Sequence, residues 1–458
     1  MRTLRQRLAQ ARDEEGVSLV EVLMAMLIFA IVSTGLIYTM LSVLSLGRDS
    51  RARQVAANLA AEDIDRTREE KNIFDLQDKS YSRDLNGDTF HVDRETSWVS
   101  DPNLEFACGA GGGALRYKRV NITITWDSMR TGTEPVRADT VLDAKDRIND
   151  PTRSTLLISV LNGEGLGSPG VSVVAQPTTA AGVPVGAALP TATTDSEGCA
   201  YVLKAPPGSY KVTVTKAGYV DINQATAPSV LLSVAANATA SAAFAYDRAA
   251  VYTLRFGNNV AGVTPSVPAG SMLTTFDSTY GPKNPSVSTG SNTPRTYSMF
   301  PISSGYSIFA GTCDLSTLKT GPADPANWTG GVRQPEAAAA PGGSVTVEVP
   351  MGIVNVAVGP LSVTNGFIKA VAVAAPAGAG ASGCTTPVQT LTFSSAVLNA
   401  AGNATIALPY GFWKLYRGSS SSQTTAITTA QVTPVTGGNV HPDSTVELDP
   451  RSPLWEGP

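Results

Sequence analysis

The feature that most restricts this chain is a 26-residue run without a charge, Val22–Gly47. As a helix at ~1.5 Å per residue it is about 39 Å long, enough to cross the ~30 Å apolar core of a bilayer. A leader with Arg2, Arg5, Arg7 and Arg12 precedes it. Basic residues before a span hold the N-terminus in the cytoplasm and send the chain beyond the span outward. An ordinary secretory signal has a shorter apolar stretch and a small-residue cleavage site after it. Here the small residue, Gly16, ends the charged leader before the apolar run begins.

After Gly16 the chain reads Val17-Ser18-Leu19-Val20-Glu21-Val22-Leu23, so one carboxylate enters the apolar stretch five residues past the glycine. This arrangement resembles the class III signal of type IV prepilins and pseudopilins. The resemblance covers about 30 N-terminal residues. It implies that a prepilin peptidase cuts between Gly16 and Val17, that the new N-terminus at Val17 is methylated, and that Glu21 serves assembly with other pilin or pseudopilin subunits. A carboxylate in lipid costs several kcal/mol by some scales unless it finds a partner, and the α-amino group freed at Val17 is such a partner. The alternative is a plain signal anchor whose Glu21 reaches the membrane edge. The apolar run lacks the proline of many major pilins and has Gly35 instead, which favours a minor pilin or pseudopilin.

Ala52, Val55, Ala56, Leu59 and Ala60 repeat at helical spacing, and neither Pro nor Gly interrupts the chain between Gly47 and Lys71. The pattern predicts a helix over 17–71 with its membrane half at 17–47. Asn86-Gly87, between Tyr81–Leu85 and Thr89–Val99, predicts a hairpin. Arg119–Trp126 alternates as a strand. Residues 72–150 are therefore expected to form a small antiparallel sheet, as in pilin heads.

The chain changes character near residue 150. Of its 72 charged residues, 44 lie in 1–150, about 29% of that segment; the 28 beyond are about 9% of theirs, far below the ~25% usual in soluble domains. Few charges with abundant Ser, Thr, Gly, Ala and Val suit β-sheet modules. The order from Leu156–Leu161 through Asp195-Ser196-Glu197-Gly198-Cys199 to Pro206-Pro207-Gly208 and Ala217-Gly218-Tyr219 resembles carboxypeptidase regulatory-like domains, which are non-catalytic β-sandwiches. On that resemblance Asp195 and Glu197 are turn residues. The pattern Pro-x-Gly followed by alternating apolar residues recurs at Pro350-Met351-Gly352 and Pro409-Tyr410-Gly411. Proline ends one strand there and glycine turns into the next. The uneven spacing argues for related sandwiches rather than a repeat array. Ala337–Gly343, Ala374–Gly383 and Gly418–Thr429 read as long loops within sandwiches or as spacers between them.

The fold class expected is an α+β pilin-like part, a long helix on a small antiparallel sheet, followed by all-β immunoglobulin- or transthyretin-like sandwiches. The boundaries are a leader at 1–16, helix at 17–71, head at 72–150, and modules at 151–250, 251–360 and 361–458. Cys108, Cys199, Cys313 and Cys384 would lie outside the cell, where disulfides form. They allow three pairings; module order favours Cys108–Cys199 and Cys313–Cys384.

No catalytic residue, cofactor or metal is expected. The two histidines, His91 and His441, share no motif, and no nucleophile elbow or phosphate-binding loop occurs. Asp84, Asn86 and Asp88 do not follow calcium-loop spacing. The near-neutral balance, 34 basic against 38 acidic residues, argues against nucleic acid as partner. The function predicted is a minor pilin or pseudopilin, inserted in the inner membrane with its C-terminal bulk outside, then built into a surface filament at the tip or sparsely. The alternative is an adhesin-type binding protein on a single-pass anchor that grips a glycan or protein surface. Trp328, Trp413 and Trp455 are candidates for stacking on sugars, although tryptophans in β proteins are usually core.

Overall fold

The computed structural model describes residues 18–70, 72–100, 104–106, 108, 115–143, 151–269, 272–288, 293–312, 323–328, 330–360, 365–374 and 389–451. It shows one long N-terminal helix on an antiparallel sheet, followed by β-sheets throughout. The chain divides into two compact units, 1–99 with 116–145, and 100–115 with 146–458.

In the first unit, helix α1 (Leu19–Glu69) spans 51 residues, about 77 Å at ~1.5 Å per residue. Ser18 caps it, its side chain accepting from the Val20 amide at 3.3 Å. Ala52, Ala56, Leu59, Ala60, Asp63 and Thr67 are buried, a single stripe at i+3/i+4 spacing. The three alanines let the helix lie close to a sheet of β1 (Lys79–Leu85), β2 (Asp88–Ser100), β4 (Leu115–Trp126) and β5 (Val136–Asp143), paired in that order. Short β3 (Leu104–Phe106) falls between β2 and β4 in the chain. Leu85 pairs with Asp88 across Asn86 and Gly87, whose φ values of 56° and 84° make the two-residue hairpin turn. Phe90, Val92, Val120, Ile122, Ile124 and Trp126 face the helix.

The second unit opens with a two-sheet sandwich. One sheet runs β11–β13–β6–β9 and the other β12–β10–β7–β8, where the strands are β6 (Ser154–Leu161), β7 (Ser172–Thr178), β8 (Ala192–Thr193), β9 (Cys199–Ala205), β10 (Gly208–Thr215), β11 (Tyr219–Asp221), β12 (Ser229–Val234) and β13 (Thr239–Arg248). Alternate residues of both sheets, among them Leu156, Ile158, Val173, Val212, Val214 and Phe244, share one core. The first strand, β6, pairs in parallel with the last, β13. Asp195 closes the β8–β9 turn, its Oδ1 accepting from the Glu197 and Cys199 amides at 3.0 and 2.8 Å. Gly198 follows at φ +76°, and a Cβ there would lie 2.2 Å from the Val160 carbonyl oxygen, so only glycine fits.

A single residue, Ala249, separates β13 from the next strand. β14 (Ala250–Phe256), β16 (Arg295–Met299) and β18 (Ser344–Val349) form one sheet, with β14 parallel to β18; β15 (Thr274–Asp277) and β17 (Ser307–Ala310) form another. Then β19 (Gly352–Ala357), β22 (Asn403–Leu408) and β25 (Val432–Pro434) face β20 (Phe367–Ala372), β21 (Thr390–Thr392), β23 (Gly411–Gly418), β24 (Gln423–Ala426) and β26 (Val446–Leu448). One continuous core, from Tyr252 and Phe276 to Ile353 and Leu448, runs through both sets of sheets. The Ser266 amide also donates to the Thr405 carbonyl at 2.9 Å, joining them at the backbone.

Each Pro-x-Gly sits where the chain leaves one sheet for a different one, at β9–β10, β18–β19 and β22–β23. Two of these crossings carry the same clasp: the Tyr210 hydroxyl donates to the Pro206 carbonyl at 2.6 Å, and the Trp413 Nε1 donates to the Pro409 carbonyl at 2.9 Å. At the third, the Asn259 side chain brackets Met351, donating to its carbonyl at 3.0 Å and accepting from its amide at 3.1 Å. Ala337–Gly343 is a loop within a sandwich: Ala337 and Tyr306 exchange two backbone hydrogen bonds of 2.9 Å. Gly418–Thr429 contains the β23–β24 hairpin turn. Most of Ala374–Gly383 lies outside the described residues.

Candidate functional site

Of the processing residues expected from the sequence, Gly16 and Val17 lie outside the described residues. Glu21 stands in the first turn of α1, where the positive end of the helix dipole favours a carboxylate. The helix beyond it behaves as two different solids. From Ala52 onward one stripe is buried on the sheet. From Leu19 to Leu46 the large apolar side chains are exposed on every side, and the most apolar 18-residue window, of mean hydropathy 2.3, has none of its residues buried. A helix hydrophobic all round is stable only where lipid or other helices cover it. Three of its hydroxyls bond back to the helix, Thr34 to the Ala30 carbonyl at 2.6 Å, Thr39 to the Leu36 carbonyl at 2.8 Å and Ser45 to the Ser42 carbonyl at 2.8 Å, which suits an apolar medium.

Cys108 and Cys199 are joined by a disulfide across 91 residues, and both are buried. Cys199 opens β9, directly after the Asp195 turn, and Cys108 belongs to the segment between β2 and β4 in the chain. Cys313 and Cys384 lie outside the described residues.

The second unit holds a cleft of about 320 Å³ that residue patterns had not singled out. Two of the three Pro-x-Gly crossings form part of its wall, through Pro350 and Tyr410. Ile308 and Phe309 of β17, Val332, Arg333, and the segment Asp449–Arg451 are among the other lining residues. Arg333 is held by two carboxylates, donating from Nη1 to Asp277 at 2.6 Å and from Nε to Asp324 at 2.8 Å. Asp324 is fixed in turn as the cap of the 3₁₀ turn Pro325–Asn327, its Oδ1 accepting from the Ala326 amide at 3.0 Å. Arg451 makes a fork with Asp449, Nε to Oδ1 at 2.9 Å and Nη2 to Oδ2 at 2.7 Å.

Both guanidinium groups also lie over aromatic rings, Arg333 at 5.7 Å from the Phe309 centroid and Arg451 at 5.4 Å from that of Trp328. The hydrogen bond to Asp324, more than any other influence, raises the Arg333 pKa above its ordinary value, and that to Asp449 does the same for Arg451. Burial, reinforced by the Asp449 charge, pushes the Tyr410 phenol well up. The cleft therefore presents fixed donor and acceptor groups with their charges already paired. Its signal in the sequence is faint: an arginine is conspicuous only because charges are so sparse beyond residue 150.

Trp328 and Trp413 are 1% and 3% exposed, so both are core residues rather than stacking surfaces; Trp455 lies outside the described residues. Among the described residues no group of three or more His, Cys, Asp or Glu is placed to hold a metal.

No curated protein matches the chain. Among solved structures it has weak likeness to a streptococcal ancillary pilin, with TM-score 0.21 and 11% identity over 56% of this chain and 92% of that one. It has similar likeness to the major pilin SpaD of Corynebacterium diphtheriae, with TM-score 0.20 and 12% identity over 66% and 93%. The Bacillus anthracis TIE protein gives 0.18 and 12% over 76% and 70%. Scores this low carry no weight for fold or function. At the N-terminus, residues 11–37 match the model of the prokaryotic N-terminal methylation motif, a stretch that includes Gly16, Val17 and Glu21.

Proposed function

We propose that this chain is a minor pilin or pseudopilin. A prepilin peptidase cuts it between Gly16 and Val17, Val17 is methylated, and the apolar half of α1 moves from the inner membrane into a filament of like subunits. Glu21 meets the terminal amine of a neighbouring subunit there. The N-terminus starts in the cytoplasm, and the sandwiches, the first of carboxypeptidase regulatory-like type, are displayed outside the cell. The observation that carries the reading is the pairing of the methylation motif with a helix whose most apolar 18 residues include none that is buried. A plain anchor accounts for the exposed helix and leaves the motif without a purpose. Bulky outer modules are hard to repeat along a tightly packed shaft, which favours a tip or sparse position.

Mass spectrometry of the N-terminus from cells that carry the export machinery tests this directly. The expected product begins at Val17 with one added methyl group; a chain that keeps Met1 overturns the proposal. Glu21→Ala should insert in the membrane normally and be largely missing from sheared filaments.

A second reading, adhesion, is compatible with the first and rests on the cleft. Its polar groups are held in fixed positions along an open cleft, which suits a binding role for the displayed modules.

A further inference from the structure

We infer that the cleft walled by Pro350, Tyr410, Arg333 and Arg451 is a saccharide site that takes a neutral, hydroxyl-rich ring. This deepens the adhesion reading and depends on the outer modules being displayed outside the cell.

Size comes first. About 320 Å³ is at the lower end of the range for small-molecule sites, roughly 300–1,000 Å³. Charge then narrows the ligand. Arg333 and Arg451 are the cations of the lining, and Asp277, Asp324 and Asp449 hold them in ion pairs of 2.5–2.7 Å. Two cations against three carboxylates give no attraction for a phosphate, sulfate or carboxylate ligand. Each carboxylate is in turn engaged by a guanidinium, so a cationic ligand gains little.

What remains is hydrogen-bonding geometry. A guanidinium–carboxylate fork sets N–H donors beside carboxylate oxygens that keep spare lone pairs. A sugar hydroxyl both donates and accepts, and two neighbouring hydroxyls match such a fork. Asn259, Gln334 and Thr436 add amide and hydroxyl groups around it, while Ile308, Phe309 and Val332 supply an apolar side for the C–H face of a ring. The forks are also rigid, because Trp328 and Phe309 back the guanidinium planes. Holding polar groups in place before binding lowers the ordering cost that a weakly hydrophobic ligand cannot offset.

The test uses the full chain in lipid nanodiscs prepared without glycosidic detergents. Saturation-transfer NMR and calorimetry screen neutral oligosaccharides of glucose, galactose, mannose and N-acetylglucosamine, their sialylated and sulfated counterparts, and a set of unrelated peptides. At least one neutral oligosaccharide should bind. Val332→Trp, which fills the mouth from an exposed position, and Arg451→Ala, which removes one fork, should each weaken it at least tenfold. Val332→Trp should melt where the parent does, which guards against simple misfolding. Silence from every neutral sugar, preference for an acidic sugar or a peptide, or binding indifferent to Val332→Trp would overturn the assignment. Filament incorporation of the parent chain is read in parallel: normal incorporation with no sugar binding removes the saccharide site alone, whereas sugar binding by a parent chain absent from filaments removes the pilin reading alone.

Discussion

In the head, the carboxylate of Asp63 is buried on α1, with Arg94 Nη1 at 3.6 Å and the Tyr81 hydroxyl donating at 3.3 Å. Lys118 is fully buried nearby in the sheet, donating to the Leu76 carbonyl and lying 5.7 Å from the Trp98 ring centroid. The outer sandwiches mostly satisfy buried donors differently. Tyr210 and Trp413 donate to carbonyls at sheet crossings, Tyr246 donates to the Thr226 carbonyl at 2.7 Å, and the guanidinium of buried Arg295 reaches the Met272 and Pro268 carbonyls at 2.7 Å each. The head sets one buried carboxylate, Asp63, against Arg94 between helix and sheet. The sandwiches use the carbonyls that every corner exposes. A segment can thus hold few charged residues and still pair its large buried aromatic donors, provided its aromatic hydroxyls and indoles fall at its corners.

The contrast breaks most sharply at the ion pair. Arg94→Met should destabilise the head by about 3–5 kcal/mol, because it strands a buried carboxylate. The double variant Arg94→Met with Asp63→Leu should recover most of that loss, since a buried pair is often replaceable by apolar packing. Thermal unfolding of the single and double variants decides it. If Arg94→Met melts like the parent, the head does not depend on its charges in the way described.

The outer unit has a covalent device beside its corner clasps. Cys199→Ser opens a loop spanning 91 residues and should cost about 2–5 kcal/mol, as loss of a native disulfide usually does. The drop should disappear when both proteins are compared in reductant. A loss that persists under reduction would assign the effect to packing at β9 instead. Tyr210→Phe isolates a single clasp. It removes one hydrogen bond from the buried Tyr210 to the carbonyl of exposed Pro206, at about 0.5–1.5 kcal/mol, and the change should appear in chemical denaturation of the outer unit with the head transition unmoved. An equal fall in both transitions would mean that the two regions do not divide their polar groups as proposed.

Local chemistry made much of this legible in advance. The Asn86-Gly87 turn, the alternation of Arg119–Trp126, the alanine stripe from Ala52 and the Asp195 turn depend on neighbours within a few residues, and each has the local structure its pattern implies. Pro-x-Gly was readable as a strand end and a turn. That it marks a passage between sheets was not, because the sheet a strand joins depends on partners far along the chain. For the same reason the core common to β14–β26 was hidden. The cleft was hidden most completely. Arg333 and Arg451 come from distant segments, and although Asp324 and Asp449 lie close to them in the chain, Asp277 joins Arg333 from 56 residues away and the two forks share one cleft only after two sets of sheets have packed. The polar half of the candidate site is therefore a product of topology, whereas the processing half is written in consecutive residues.

Asp443, on an exposed turn of the outer region, offers the smallest effect. It is an exposed carboxylate that works by charge: Thr445 donates to it from Oγ1 at 2.9 Å and from its amide at 3.1 Å, and Lys414 Nζ lies 3.2 Å away. The Thr445 hydroxyl is the largest influence, and together they lower its pKa from 3.8 to about 2. A carboxyl whose pKa is lower in the folded state contributes stability above its unfolded value and loses it as pH falls through the folded one. The parent should therefore melt slightly above Asp443→Asn at about pH 6. That gap should close as pH drops from about 4 to about 2. Solvent screening of an exposed group keeps it small. No gap at about pH 6 would assign the turn's stability to side-chain shape, which asparagine shares, and a gap unchanged at the acid end would show that it does not come from the carboxylate's charge.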